Sequence, residues 1–144
     1  MTEFRKEISV NATPDRAWEV LGDLSSVTRW IPGIVDVRVQ GNERVCTFAN
    51  GAVQHETISD YSGSARSYRY EITGSPLPVK NNRGRFSVEA RGSDPGGPAS
   101  SSTIVWEHEF ELLDAAQEKQ IVQMWEGAAE QIAGLLRKLV EEQQ

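Results

Sequence analysis

His108 lies two residues from Trp106 and two from Phe110 in the run TIVWEHEF. Residues two apart on a strand share a face, so this imidazole belongs to an aromatic wall. An imidazole buried there needs a partner and can titrate near neutral pH. It can orient a ligand carbonyl, or act as general base in an aldol-type ring closure. The plainer alternative is a core histidine bonded to a neighbouring side chain. A second source of chemistry is GAVQHETISDY at 51–61. Ala52, Gln54, Glu56 and Ile58 form one face of that run; Val53, His55, Thr57 and Ser59 form the other. A carboxylate brought beside His108 would give an acid/base pair with a physical cause for shifted pKa values. Glu56 can equally sit solvated at an open end. His108, Glu56 and Gln54 are therefore the catalytic candidates.

Other chemistries lack their residues. Two histidines without HxH or HxxxH spacing make no metal constellation. No glycine-rich phosphate loop precedes a helix, and no Gly-x-Ser-x-Gly or Cys/His pattern marks a covalent nucleophile. Cys46 is the single cysteine, which excludes an intrachain disulfide and reads as a buried thiol. No cofactor is expected.

These side chains need elements to hold them. FRKEISV (4–10) alternates like a half-buried strand. Thr13 and Pro14 suit the N-cap and first position of a helix, Asp15 suits its dipole, and Gly22 suits its end. LSSVTRW (24–30) reads as a second short helix, ended before Pro32. Strands follow at 34–40, 44–49, 51–61, 66–73, 84–90 and 102–112, with Asn50-Gly51 a strong hairpin signal. GSDPGGPASSS (92–102) reads as a long hairpin loop. Beyond Ala115, the residues Ile121, Trp125, Ala128, Ile132, Leu135, Leu136 and Leu139 recur at helical steps. A helix of that length reaches roughly 30 Å or more. Its apolar stripe has only the sheet to lie against. Gly127 and Gly134 within it either leave room for a ligand or permit close contact with the sheet.

The order is strand, two short helices, six strands and one long helix. Sequential hairpins predict an antiparallel sheet, and the whole an α+β architecture within a single domain spanning 1–144. A curved sheet and one helix need not fill the space between them, and such a space takes small molecules. Strand alternation then adds Cys46, Phe48, Tyr68, Tyr70, Ile72, Phe86 and Val88 to the lining, beside Trp106, His108 and Phe110, and the helix adds Trp125.

The 144 residues carry 21 acidic and 15 basic side chains, a formal charge of −6. That balance disfavours nucleic acid and anionic membrane surfaces. No run approaches the length of a membrane span, and a cytoplasmic protein is expected. Oligomeric state leaves no sequence signal.

The motifs VNATPDRAW (10–18), DL…RWIPGI (23–34), Asn50-Gly51, DY…SYRY (60–70), SPLPV (75–79) and TIVW (103–106) occur in an order that resembles the START-like, helix-grip superfamily. Within it, the chain is most similar to the polyketide cyclase/dehydrase and lipid-transport group. The resemblance implies about seven antiparallel strands curved around the long C-terminal helix, with two short helices after the first strand. It places Trp30 and Ile31 at a pocket rim, although Trp30 can instead pack under the last helix. It sets Leu77 of SPLPV at the pocket mouth. Aligning Asp60 with the turn aspartate of similar sequences turns Gln54 and Glu56 inward. Two departures stand out. Asn82 occupies a place where related sequences tend to carry an aromatic, and the loop 49–51 is too short to be the closing gate of plant hormone receptors.

The implied partner is a small hydrophobic molecule, a lipid, polyketide or similar. Rival readings are a cyclase or aromatase-like enzyme using His108 with Glu56 or Gln54, and a protein-interaction module of the chaperone-activator type.

Overall fold

In β1 (Thr2–Val10) the alternation resolves as expected, with Ile8 and Val10 buried and Glu7 and Ser9 outward. The computed structural model describes residues 1–74, 77–93 and 99–142. Helix α1 (Pro14–Leu21) begins where Thr13 caps it, its side chain accepting from the Arg16 amide at 3.1 Å. Gly22 ends α1, but not through a left-handed turn, because its φ is −76°. The requirement is space: a Cβ there would lie 2.5 Å from the Trp18 ring. Helix α2 (Val27–Trp30) is shorter than the expected 24–30. Asp23 accepts from both the amide and the hydroxyl of Ser25, which holds the preceding residues in a turn instead.

Strands β2 (Ile34–Gln40), β3 (Glu43–Phe48), β4 (Val53–Ser62), β5 (Ser67–Gly74), β6 (Val79–Ser93) and β7 (Ala99–Leu112) follow. They form one antiparallel sheet in the order β1-β7-β6-β5-β4-β3-β2, a meander closed onto β1 at one side. β6 and β7 are longer than the expected 84–90 and 102–112. A bulge interrupts β6 between Lys80 and Arg83, with Asn81 at φ 51°, so the alternation there could not be followed from sequence. The segment 92–102 is correspondingly less of a loop, since pairing continues to Ser93 and Ala99. Its tip at 94–98, and Ser75 and Pro76 of the SPLPV stretch, lie outside the described residues.

Asp114 caps a single 3₁₀ turn at Ala115–Gln117, and α3 (Glu118–Glu141) runs from it across the concave face. Its buried stripe is Ile121, Ala129, Ile132, Ala133, Leu136 and Val140, with Trp125 and Leu139 half-buried. Ala128 and Leu135, expected on that stripe, are exposed. Small Ala129 and Ala133 take the contact positions and let α3 approach the sheet. Gly127 and Gly134 serve neither expected purpose, for a Cβ on either would meet nothing within 4 Å. This is the α+β helix-grip architecture. Among the described residues, no helix is long and apolar enough to cross a membrane.

Candidate functional site

Between the concave sheet and α3 lies a cavity of about 160 Å³. Phe86, Trp106 and Tyr70 form its sheet wall, Trp30 and Ile31 come from the α2 end, and Trp125, Ala129 and Ile132 come from α3. The rings pack as a continuous wall. Phe86 and Trp106 stack at 5.2 Å between centroids, and Trp125 lies 4.9 Å from Trp106 and 5.1 Å from His108. Trp30 joins both settings that the sequence left open. It is buried, donates to Ser26 Oγ at 2.9 Å, meets Phe86 edge-on at 5.6 Å, and still borders the cavity. Phe48 and Leu77 border it from the partly exposed side.

Four residues expected in the lining lie elsewhere: Cys46 and Val88 are buried in the core without bordering the cavity, and so are two aromatics, Phe110 and Tyr68. Phe110 packs against Phe4 at 5.7 Å, beyond His108 along β7. Tyr68 sits deeper, wholly buried against Phe86 and Trp18. Strand alternation put both aromatics on the correct face but said nothing of depth along the strand.

Four polar side chains from three strands, Tyr70 on β5, Asn82 on β6 and Trp106 and His108 on β7, meet at the aromatic wall. The Trp106 indole N–H donates to Tyr70 Oη at 2.8 Å. Tyr70 Oη lies 2.6 Å from His108 Nδ1, and His108 Nε2 lies 2.5 Å from Asn82 Oδ1. Indole nitrogen only donates, so the tyrosine oxygen accepts from it. Among the described residues the tyrosine proton then has one acceptor in reach, His108 Nδ1. His108 is consequently the Nε2–H tautomer, donating to Asn82. Burial lowers the imidazole pKa to about 4, with Glu109 opposing weakly, and burial likewise raises that of Tyr70. The imidazole is neutral at pH 7 and both its nitrogens are engaged.

The other polar group comes from the β3–β4 hairpin. Gly51, at φ 90°, makes the tight turn, and the resulting register sets Arg44 opposite Glu56. Arg44 donates from Nε and Nη2 to the two Glu56 oxygens, at 3.2 and 3.0 Å. Nη1 reaches the Leu24 carbonyl at 3.2 Å and Tyr68 Oη at 3.4 Å. Both charged side chains are almost wholly buried. Burial acts to discharge the guanidinium, but Tyr68 and Glu56 outweigh it and hold it charged. Cys46 donates to Glu56 at 3.3 Å. Its thiol is pushed up to about 12, by burial first and then by the neighbouring carboxylate, so it is no nucleophile.

Gln54 and Glu56 border the cavity, as the inward-facing set requires. Glu56 is nonetheless committed to Arg44 rather than to His108. Arg44 and Asn82 are the polar lining residues absent from the expected set. Arg44 was legible, being in alternation with the inward Cys46 and Phe48. Asn82 was not, because the bulge at Asn81 resets the face.

A larger hollow of about 740 Å³ lies on the opposite face of the sheet, edged by charged side chains. Glu107 pairs there with Arg5 at 3.5 Å and Arg85 at 3.8 Å, and Arg83 pairs with Glu109. These exposed pairs satisfy one another, as on an ordinary solvated face.

The overall fold is shared widely. XoxI from Bacillus cereus superposes with a TM-score of 0.83 at 20% identity, over 99% of this chain and 97% of that one. The di-domain ARO/CYC BexL from the BE-7585A biosynthetic pathway gives 0.81 at 19% identity, over 98% of this chain and 47% of that one. A START superfamily protein from Mycobacterium smegmatis gives 0.80 at 14% identity, covering 99% of both chains. No curated protein matches the chain in sequence. Residues 1–142, which hold every strand of the sheet and all of α3, match the family described as polyketide cyclase / dehydrase and lipid transport, and the chain belongs to that family.

Proposed function

We propose that the protein binds one small hydrophobic molecule in the cavity between the sheet and α3. The observation that carries this reading is the aromatic-walled space of about 160 Å³ between the sheet and α3. Its size restricts the occupant. Pockets for drug-sized ligands run from about 300 Å³ upward, whereas an engineered cavity of about 150 Å³ takes benzene. A single ring or a short branched chain fits as the protein stands. A multi-ring polyketide requires α3 to move away.

Binding is favoured over catalysis by the state of the titratable groups. Acid/base work asks for two groups converging on one reacting atom. His108 has both nitrogens in hydrogen bonds, and Glu56 has both oxygens on Arg44. His108, whose pKa burial lowers to about 4, is not poised to take a proton at neutral pH, and Glu56 is held by Arg44 rather than turned to a reacting atom.

Native mass spectrometry of the protein as purified, against a denatured control, tests the reading. A bound small molecule that is lost on denaturation, and is absent from an Ala129→Phe variant that fills the cavity, supports it. A bare polypeptide mass, together with no uptake of single-ring aromatic probes, would sink it.

A further inference from the structure

We infer that Asn82 is a specificity-determining residue, whose amide N–H₂ is a fixed hydrogen-bond donor for the carbonyl oxygen of a neutral, single-ring ligand. The inference rests on the binding reading above and adds the ligand's chemical class. Its starting point is the direction of the hydrogen-bond chain. Trp106 can only donate, so Tyr70 must pass its own proton to His108, and His108 must donate to Asn82 Oδ1. The reversed amide would place its N–H₂ on the imidazole and leave the Tyr70 hydroxyl proton without an acceptor. The chain thus fixes which end of the amide faces His108.

The other end is the consequence. Asn82 is 4% exposed and borders the cavity, and no hydrogen bond among the described residues takes up its amide N–H₂. Among the described residues no fully enclosed side-chain nitrogen or oxygen lacks a partner, so this nitrogen is not sealed in and opens toward the cavity that Asn82 borders. An amide donor facing an aromatic cavity is worth most to a ligand that brings an acceptor.

The lining also sets the ligand's charge. Arg44 and Glu56 border the same space and cancel one another, and His108 is neutral. A charged ligand would enter with no opposite charge to meet it, at a large desolvation cost. The remaining walls, Trp106, Trp125 and Phe86, are flat faces suited to a ring. Aromatic ketones and aldehydes combine these properties.

Acetophenone and ethylbenzene provide the test, because they differ by a carbonyl oxygen against a methylene. Dissociation constants would be read from the fluorescence of the lining tryptophans, and the Asn82 side-chain amide would be followed by ¹H–¹⁵N NMR. Acetophenone is expected to bind about tenfold more tightly, the ratio that one well-made hydrogen bond supports. It should also shift the Asn82 N–H₂ resonances downfield, which ethylbenzene should not do. An Asn82→Leu variant should hold ethylbenzene and lose the preference. Equal affinities with unchanged Asn82 resonances would overturn the inference while leaving the cavity reading intact. Failure of both compounds to bind would bring down the cavity reading, and this inference with it. The wild-type NMR comparison decides the matter even if the variant does not fold.

Discussion

At the scale of single residues, the interior holds its polar groups by pairing them. Burying a guanidinium and a carboxylate together stabilises little on balance, but removing one partner strands the other. Glu56→Gln should therefore cost about 3–5 kcal/mol, read by urea unfolding. Arg44→Met combined with Glu56→Leu should cost less than that single change, although it alters twice as many side chains. A double variant as unstable as the single one would contradict this account. His108 brings a pH dependence of definite sign. Its folded pKa lies near 4, below its ordinary 6.5, because burial disfavours the imidazolium. The unfolded chain takes up the proton first as pH falls, so this stabilisation is complete above pH 6.5 and drains away toward pH 4. The loss over that window is about 3 kcal/mol. In His108→Gln the fall in unfolding free energy between those pH values should be smaller by that amount. Parallel curves for the two proteins would show that His108 is not the titrating group.

At the scale of elements, the strands and the long helix were legible because their periods are sustained over many residues. The breaks in period were not. One left-handed residue, Asn81, displaces the facing of β6 and hides Asn82 from any alternation argument. In α3 the stripe was placed correctly at Ile121, Ile132 and Leu136 but read too wide at Leu135, while Ala128, though exposed, borders the cavity beside Ala129. Alanine and leucine flank the seam on both sides, and only packing decides which of them faces the sheet. The two helix glycines likewise looked functional. Gly127 and Gly134 point into open space, where glycine only costs helix stability. Each Gly→Ala change should raise unfolding free energy by up to about 1 kcal/mol and leave ligand capture unaltered. A destabilised Gly127→Ala or Gly134→Ala protein would mean that α3 sits in another register. Gly22→Ala provides the contrast. Its new methyl would collide with the Trp18 ring.

At the scale of the whole molecule, the sheet stays open, with β1 and β2 as its two edges. Open edges invite pairing with other chains unless they are covered or charged. The β1 side is tied to α3, through Lys6 with Glu130 and through Arg137 Nε donating to the Ser9 carbonyl at 3.0 Å. Among the described residues no side-chain hydrogen bond or ion pair ties β2 to a helix, and its Val35 and Val39 are 62% and 42% exposed. Between these valines stand Asp36 and Arg38, whose side chains are 3.8 Å apart and largely in solvent. An ion pair so exposed adds little to stability. Its value lies in keeping charge on an edge that would otherwise read as six consecutive β-branched residues. Replacing both Asp36 and Arg38 by valine leaves the net charge unchanged, so any change in association comes from the edge itself. The double variant should keep its melting temperature at low concentration, yet scatter light and elute as larger species as concentration rises. The matched control is Arg69→Val with Glu71→Val on β5, also neutral in charge but on a strand paired on both sides. If the β5 pair aggregates as readily as the β2 pair, exposed apolar area rather than edge exposure governs association, and the protective role of Asp36 and Arg38 falls.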